Sequence, residues 1–404
     1  MRLHTLIALA VGAGAITPND PLAAQQRGTR ATVAQRVYAN APAKGDWHES
    51  IVDRLKVPAG FRVTVFARDL GTARMLAVGD DGTVYVTRRD SGDVLALRDD
   101  GTGKAGTLRK AVTDLPRVHG IALHGTRMYL ATIREVYVAD VNPDGSAGAP
   151  RAIVTGLPDG GQHPNRTIGV GPDGLLYVSV GSTCNQCIET NDEHATILQM
   201  AVDGSRRGVF ARGLRNTVGF AWNPETGTLW GVDHGSDYKG NDLPPEELNE
   251  IQNGLHYGWP FCYGKRIVDE AYPLDPPGST KEEFCPRTVA PTLTFDAHMA
   301  PMQIVFYQGT SFPAEYRGDA FVAMRGSWNR SPAVGYKVLR IEFRDGVPVR
   351  STDFLSGFLS QNGERHYGRL AGIAVARDGS LLVSDDANGV IYRVSFGGST
   401  SGSR

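Results

Sequence analysis

The sequence predicts an all-β fold, a six-bladed β-propeller of four-stranded antiparallel blades, on three observations. Glycine is unusually common, 49 of 404 residues, and recurs at turn positions rather than in one tract, which favours many short strands joined by tight turns. A unit returns along the chain: a small-apolar run, an Asp-Gly or equivalent turn, then an alternating strand, the signal of paired strands about a short polar turn. The early copies start roughly 45 to 50 residues apart, the length of a four-stranded blade.

Taken in order, the N-terminus MRLHTLIALAVGAGAITPNDPLAAQQ has one arginine, an apolar run from Leu6 to Ile16 and a small-residue end at Leu22-Ala23-Ala24. It is expected to be a secretory signal over residues 1–24, which makes the protein periplasmic or secreted. Residues 25–49 are expected to be a flexible linker, with order beginning near Ile51. The repeat then occupies a single catalytic domain over 50–397, before a disordered tail, 398–404. Its copies are LAVGDDGTVYVTRR (Leu76 to Arg89), IALHGTRMYLAT (Ile121 to Thr132), IGVGPDGLLYVSVG (Ile168 to Gly181), FAWNPETGTLWGVDHG (Phe220 to Gly235) and IAVARDGSLLVSDD (Ile373 to Asp386). A divergent copy, FPAEYRGDAFVAMRG, runs from Phe312 to Gly326, and six copies mean six blades. FRVTVFARD (Phe61 to Asp69) and GVIYRVSF (Gly389 to Phe396) are expected to share one blade and close the ring with strands from both ends. A β-sandwich pair also fits the strand content, but the blade-length period argues against it. PPEELNEIQ, in the long gap between the fourth and fifth copies, is at most a short helix.

Hydrophobic residues make up 41% and charged residues 21%, enough apolar material for a globular core. A formal net charge of −1 gives no argument for nucleic acid or an anionic membrane as partner. No other apolar run approaches the eighteen or so residues needed to span a bilayer. Four cysteines suit an oxidising compartment. They allow three pairings, of which two local bridges, 184–187 and 262–285, are the simplest. A zinc site also accepts four cysteines, although the second pair lacks CxxC spacing. Ile188 after Cys187 excludes haem c attachment, and the all-β context disfavours a thioredoxin-like role.

Four polar constellations flank these strands, where blade loops converge on a central channel. Gln162-His163-Pro164-Asn165-Arg166 offers a histidine that is either a surface loop residue or a base with the right intrinsic pKa range. Gly213-Leu214-Arg215-Asn216-Thr217 offers a fixed fork of donors beside an amide, or else a capped turn with a solvated arginine. Val232-Asp233-His234-Gly235-Ser236-Asp237, with Glu246-Glu247-Leu248-Asn249, gathers hard oxygen groups that suit Ca²⁺ better than zinc, or simply solvates a long loop. Arg325-Gly326-Ser327-Trp328-Asn329-Arg330 joins Gly368-Arg369-Leu370-Ala371-Gly372. There the arginines can grip carboxylates in bidentate fashion, and Trp328 either covers a planar ring or packs between blades.

The order HPNRxxGVGPDGxLYVSVGSxCNxC, ARGLRNxxGFAWNPxTGxLW, DHGSD, ELN and GWPxCYG resembles the glucose/sorbosone dehydrogenase family over roughly residues 50 to 396. These are soluble, exported six-bladed quinoproteins that use pyrroloquinoline quinone. The resemblance implies that His163 is the general base, taking the sugar hydroxyl proton while hydride passes to the quinone. It implies that Arg215 and Asn216 stand beside the quinone oxygens, where the arginine stabilises growing negative charge. Gly235 and Ser236 match the pair whose carbonyls hold a Ca²⁺ that polarises the quinone. Arg369 matches an arginine on a cofactor carboxylate, Arg325 or Arg330 takes the place of another cationic contact, and Trp328 joins this cofactor set. Glu247 matches an acidic position in a second calcium region.

Three departures stand out. Ser182 replaces an aspartate that supports the histidine in glucose-oxidising members, Ala371 replaces a second cofactor arginine, and Ser236 replaces a common proline. With the CNQC and WPFCYG segments they look more like the sorbosone or broad aldose branch. The partners implied are a small sugar and an external electron acceptor, whether quinone, dye or cytochrome. A calcium-dependent propeller lactonase or other hydrolase, and a non-catalytic binding propeller, are the competing classes.

Overall fold

The computed structural model describes residues 40–397. The expected signal over 1–24, much of the expected linker and the tail 398–404 lie outside the described residues.

Six four-stranded antiparallel sheets form the ring. Their first strands are Ala73–Val78, Gly120–His124, Ile168–Val170, Thr217–Trp222, Pro301–Phe306 and Leu370–Val375, which we call the inner strands of blades 1 to 6. Inner strands pack on one another around the axis, blade 6 against blade 1 included. The second strands are the most apolar: Leu176–Val180, Ala320–Met324 and Leu381–Asp385 are buried along their whole length. A strand buried on both faces reads as a continuous apolar run, which is why these segments dominated the repeat.

The turn between first and second strands shows why Asp-Gly recurs. Asp81, Asp173 and Asp378 each accept a bond at Oδ1 from the backbone N–H two residues on, at 3.0, 3.0 and 3.1 Å. The following Gly82, Gly174 and Gly379 have φ of +85°, +73° and +84°, which a side chain resists. The divergent copy is divergent for a topological reason. Only its Ala320–Met324 part is a second strand, and its inner strand, Pro301–Phe306, lies earlier in the chain.

Two expectations are corrected. Glu246–Glu250, inside PPEELNEIQ, is not helical; it is the third strand of blade 4, between Leu229–Asp233 and Leu293–Phe295. Helix-forming glutamates lose here to the ladder, because a strand between two partners satisfies its backbone on both edges while burying Leu248. Residues 40–49, expected to be linker, belong to the fold. Ala43–Lys44 pairs in parallel with Arg365–His366, and the Asn40 N–H donates to the Trp328 carbonyl at 2.8 Å.

Phe61–Ala67 is the outer strand of blade 6, antiparallel to Val390–Phe396, so the ring closes as expected with strands from both ends. Phe61 sits edge-on to Phe312, Tyr316, Phe354 and Phe396, with centroids 4.7–5.1 Å away. It thereby fastens the closing strand to blade 5 as well as to its own sheet. Phe61→Ala is expected to cost about 3 kcal/mol in urea unfolding. An unchanged midpoint would show that closure does not use this cluster.

Candidate active site at one end of the propeller

Connections into inner strands and between second and third strands lie at the same end of an antiparallel blade. All ten predicted site residues lie on such connections or on the strand ends beside them. The loop entering blade 3 carries His163. It is wound around the fully buried side chain of Arg166, whose Nε donates to the Ile133 carbonyl at 3.2 Å and Nη1 to the His163 carbonyl at 2.9 Å. Its Nη2 donates to the carbonyls of Pro158 and Asp159, both at 3.0 Å. Burial pulls the guanidinium down to about 10, still charged at neutral pH.

His163 Nδ1 lies 2.9 Å from both the Ser182 carbonyl and the Ser182 hydroxyl. A carbonyl only accepts, so Nδ1 carries the proton. The hydroxyl spends its own proton on the Cys184 carbonyl at 2.7 Å. The basic lone pair is therefore on Nε2, which has no protein partner among the described residues. Burial, then the positive charge of Arg215, holds the imidazole well below its usual 6.5 and hence neutral. Gly181 has no room for a side chain: a Cβ there would fall 2.5 Å from His163 Cβ and 2.9 Å from Asn216 Oδ1.

Asp233 builds the next turn by accepting from the N–H groups of Arg215 and Asn216 and the Thr217 hydroxyl, at 3.0, 2.9 and 2.8 Å. Burial lifts this carboxyl to about 6 against the pull of those donors. Arg215 is almost fully buried, donating Nε to the Asn185 carbonyl at 2.9 Å and Nη2 to Asn185 Oδ1 and Asp237 Oδ2, at 2.8 and 2.9 Å. Asn216 Nδ2 reaches His234 Nδ1 at 3.4 Å, while His234 Nε2 donates to the Pro301 carbonyl at 2.5 Å.

Gly235 N–H donates to Glu246 Oε2 at 2.8 Å, and a Cβ on Gly235 would fall 2.7 Å from Pro244 Cγ. Glu246 and Glu247 are neighbours on a strand and point to opposite faces. Burial pushes them up to about 8 and about 7. Glu247 Oε1 accepts from Gly264 N–H at 2.7 Å. With Arg215, Asp233, Gly235, Ser236, Tyr263 and Asp269 it lines a small, partly open cavity of about 20 Å³, room for one ion or water. Its lining mixes carboxylate and hydroxyl oxygens with the Arg215 guanidinium.

Across the mouth, Arg325 holds Asp386 with a two-armed fork, Nε to Oδ2 at 3.0 Å and Nη2 to Oδ1 at 3.2 Å, and Arg74 pairs with the same carboxylate. Burial works against ionisation of Asp386, yet the two guanidinium groups hold it down at about 2. Arg74 also donates to His119 Nε2 at 3.3 Å. Arg369 donates Nη2 to the Gly326 carbonyl at 3.2 Å, and its buried Nε has no partner. Burial and then Arg325 bring it down to about 10. Three arginines thus face one strongly ionised carboxylate, since burial lifts neighbouring Asp385 to about 6. That surplus, with an unused buried donor, suits a polycarboxylate ligand.

His163, Arg215, Asn216, Gly235 and Ser236 come together on one side of the mouth, and Arg325 and Arg369 on the other. Trp328 stands edge-on to Tyr238 at 5.8 Å, and Asn329 beside it donates to Asp237 Oδ1 at 2.8 Å, tying the two sides. Arg330 is not brought into the arginine group: it bonds the Ala297 carbonyl at 3.1 Å and Asp242 at 3.0 Å. Sequence reasoning missed Arg74, His119, Asn185 and Asp386, and it placed Asp237 among candidate cation ligands rather than on Arg215. The signal for the first two was the repeat itself. Arg74, His119, Arg166, Arg215 and Arg369 all lie within two residues of the start of an inner strand.

The cysteines pair 184–187 and 262–285, the simplest arrangement, and leave no thiolate for zinc. Asp386→Asn strips the buried Arg74 and half-buried Arg325 of their counter-charge. It is expected to cost about 3–5 kcal/mol of unfolding free energy. Wild-type stability in urea would mean the arginines find other partners.

Comparison with known proteins gives a consistent picture. The TrAA12-like family model matches residues 55–396. An uncharacterised protein of Borreliella burgdorferi is 31% identical over 364 residues, covering 86% of this chain and 92% of that protein. The pyrroloquinoline quinone-dependent pyranose dehydrogenase of Coprinopsis cinerea is 24% identical over 406 residues, 84% of this chain but only 54% of the relative. The holo structure of the quinone domain of the Coprinopsis cinerea pyranose dehydrogenase superposes with a TM-score of 0.73 at 22% identity, covering 88% of this chain and 98% of that one. At that identity the likeness speaks for the fold.

Proposed function

The chain belongs to the TrAA12-like family, and from that premise we propose that it is a quinoprotein oxidoreductase acting on an aldose-type sugar or sorbosone-like aldehyde. The observation that carries this is a half-buried histidine whose Nδ1 is pinned by Ser182 while Nε2 is left free beside a buried arginine. Bound pyrroloquinoline quinone would supply the hydride acceptor that the side chains themselves lack. Its carboxylates would be held by Arg369 and Arg325, the surplus cations of the mouth, and its ring oxygens would lie towards Arg215 and Asn216. A Ca²⁺ would rest on the Gly235 and Ser236 carbonyls, with Glu247 serving a second calcium position behind them.

His163 Nε2 accepts the proton of the reacting hydroxyl. Its Nδ1–H, pinned by the Ser182 oxygens, keeps Nε2 the basic nitrogen and fixes its direction. Arg215 stays charged and immobile through its bonds to Asn185 and Asp237, so it stabilises developing negative charge without reorganising. Asn216 offers an amide that donates or accepts next to the base. An external acceptor would be needed to take up the two electrons. A hydrolase would need a carboxylate-rich centre, whereas arginines crowd this mouth. The two disulfides suit an oxidising, extracytoplasmic compartment.

Reconstitution with pyrroloquinoline quinone and Ca²⁺ should give dye reduction with one or more aldoses; no quinone binding and no dye reduction would sink the proposal. His163→Ala should keep quinone affinity and lose about 10²- to 10⁴-fold in turnover. The sign of the pH effect follows from the lowered imidazole pKa. Nε2 stays unprotonated as pH falls through 6.5, so kcat should hold level there and decline only well below it. A decline centred at 6.5 would contradict the desolvated, neutral base. Arg369→Ala should leave the base intact and weaken quinone binding, read by fluorescence titration of the apoprotein. Unaltered affinity would remove Arg369 from the cofactor set.

A further inference from the structure

The turn Ser182–Cys187 lies between the second and third strands of blade 3, and each of its polar residues reaches a different part of the site. Ser182 holds His163 Nδ1 through both its carbonyl and its hydroxyl, each at 2.9 Å. That hydroxyl is aimed by the Cys184 carbonyl, 2.7 Å away, so the base is oriented through the first bridged cysteine. Asn185 takes Arg215 Nε on its carbonyl and Arg215 Nη2 on Oδ1, and the same Oδ1 accepts the Asp237 N–H at 2.7 Å. Gln186 turns the other way and donates Nε2 to the Pro260 carbonyl and Asp269 Oδ2, at 2.7 and 2.6 Å. It anchors the turn to the insertion closed by Cys262–Cys285. The bridge itself is fully buried against Trp259 and Ala195.

We propose that this disulfide-closed turn is one positioning element that sets the base and the charge-stabilising arginine relative to each other, with Ser182 and Asn185 as its two positioning residues. The inference rests on the roles given above to His163 and Arg215. It goes beyond them in assigning the Cys184–Cys187 bridge to catalysis rather than to stability. The bridge has little loop to close: a separation of three residues restrains the unfolded chain weakly compared with the 23-residue span of Cys262–Cys285. The ring it closes holds Asn185, which grips Arg215, and its Cys184 carbonyl takes the hydroxyl of Ser182, which holds His163. A displacement of about 1 Å there is enough to lose about 10²-fold in rate.

The test uses the full chain. In the quinone-free protein, ¹⁵N–¹H imidazole spectra should show His163 with Nδ1 protonated and Nε2 bare. Cys184→Ala/Cys187→Ala should replace that single tautomer by an exchanging mixture, with the fold intact by circular dichroism, whereas Ser182→Ala keeps the carbonyl acceptor and should keep the tautomer. In the reconstituted enzyme both should lower kcat about 10²-fold with little change in KM. In combination they should lose no more than the paired cysteine variant alone, because the Ser182 contact already depends on the bridge. Asn185→Ala should lower kcat while keeping the His163 tautomer. If the paired cysteine variant does not fold, Ser182→Ala and Asn185→Ala decide the matter with the bridge in place. A bridge-free protein with an unchanged tautomer and unchanged kcat per folded molecule would overturn the proposal, as would independent, additive losses. The spectra need no quinone, so failure of the oxidoreductase proposal and failure of this one are separable.

Discussion

Desolvation at the channel mouth is the constraint on which the rest of this site depends. Inner strands from all six blades end around one axis, so charged side chains at their starts are drawn out of water by the packing of the neighbouring blades. A buried ionic group must then find a compensating partner or change its protonation. The pattern of charge at the mouth follows. Asp386 keeps its charge because two guanidinium groups meet it, while Asp233, Glu246 and Glu247, bonded mainly to neutral donors, are lifted to about 6, 8 and 7. His163 and His234 become neutral, since burial and Arg215 act on them in the same direction.

The arginines answer the same constraint in three different ways, and the differences separate scaffold from chemistry. Arg166 is satisfied by four backbone carbonyls and so is spent on shaping the His163 loop. Arg215 is satisfied by Asn185 and Asp237 but stands beside the base, fixed and charged. Arg369 keeps a buried donor unused. An unpaired donor in a low-dielectric site costs stability, and a ligand that fills it recovers that cost on binding. Nε of Arg74 and Arg330 is unpartnered too, so it is the grouping of Arg74, Arg325 and Arg369 around one ionised carboxylate, more than the free donor, that favours an anionic ligand.

Much of the ring was legible in the sequence because its signals are local. The Asp-Gly turn before the second strands of blades 1, 3 and 6 has a chemistry of its own, and a fully apolar second strand stands out from its surroundings. What could not be read depends on partners far along the chain. Glu246–Glu250 has helix-forming residues and is a strand only because Leu293–Phe295, some forty residues later, pairs its other edge. Asp386 and Arg74 lie at opposite ends of the chain and meet only because the ring closes. Arg330 shows the opposite error. It is near Arg325 in sequence, but the connection turns it towards Asp242. His163, Arg215 and Gly235 were legible because each sits next to a strand of the repeat; the contacts that orient them were not.

Ser182 illustrates why those contacts matter. An aspartate there would place a negative charge on Nδ1 and also lie near Arg215, raising the basicity of the imidazole and drawing the guanidinium towards itself. A serine gives geometry without charge: a carbonyl and a hydroxyl define the tautomer but do little to stabilise an imidazolium. The histidine is then a weaker base in a drier place. On the proposed reading of His163 as general base, its effectiveness has to come from being held in line rather than from proton affinity, an exchange that general-base catalysis tolerates only where the reacting atoms are well placed. Replacing a carboxylate by a neutral orienter thus shifts the burden from electrostatics to rigidity. A short buried bridge in the very turn that carries the serine supplies rigidity where the charge is missing.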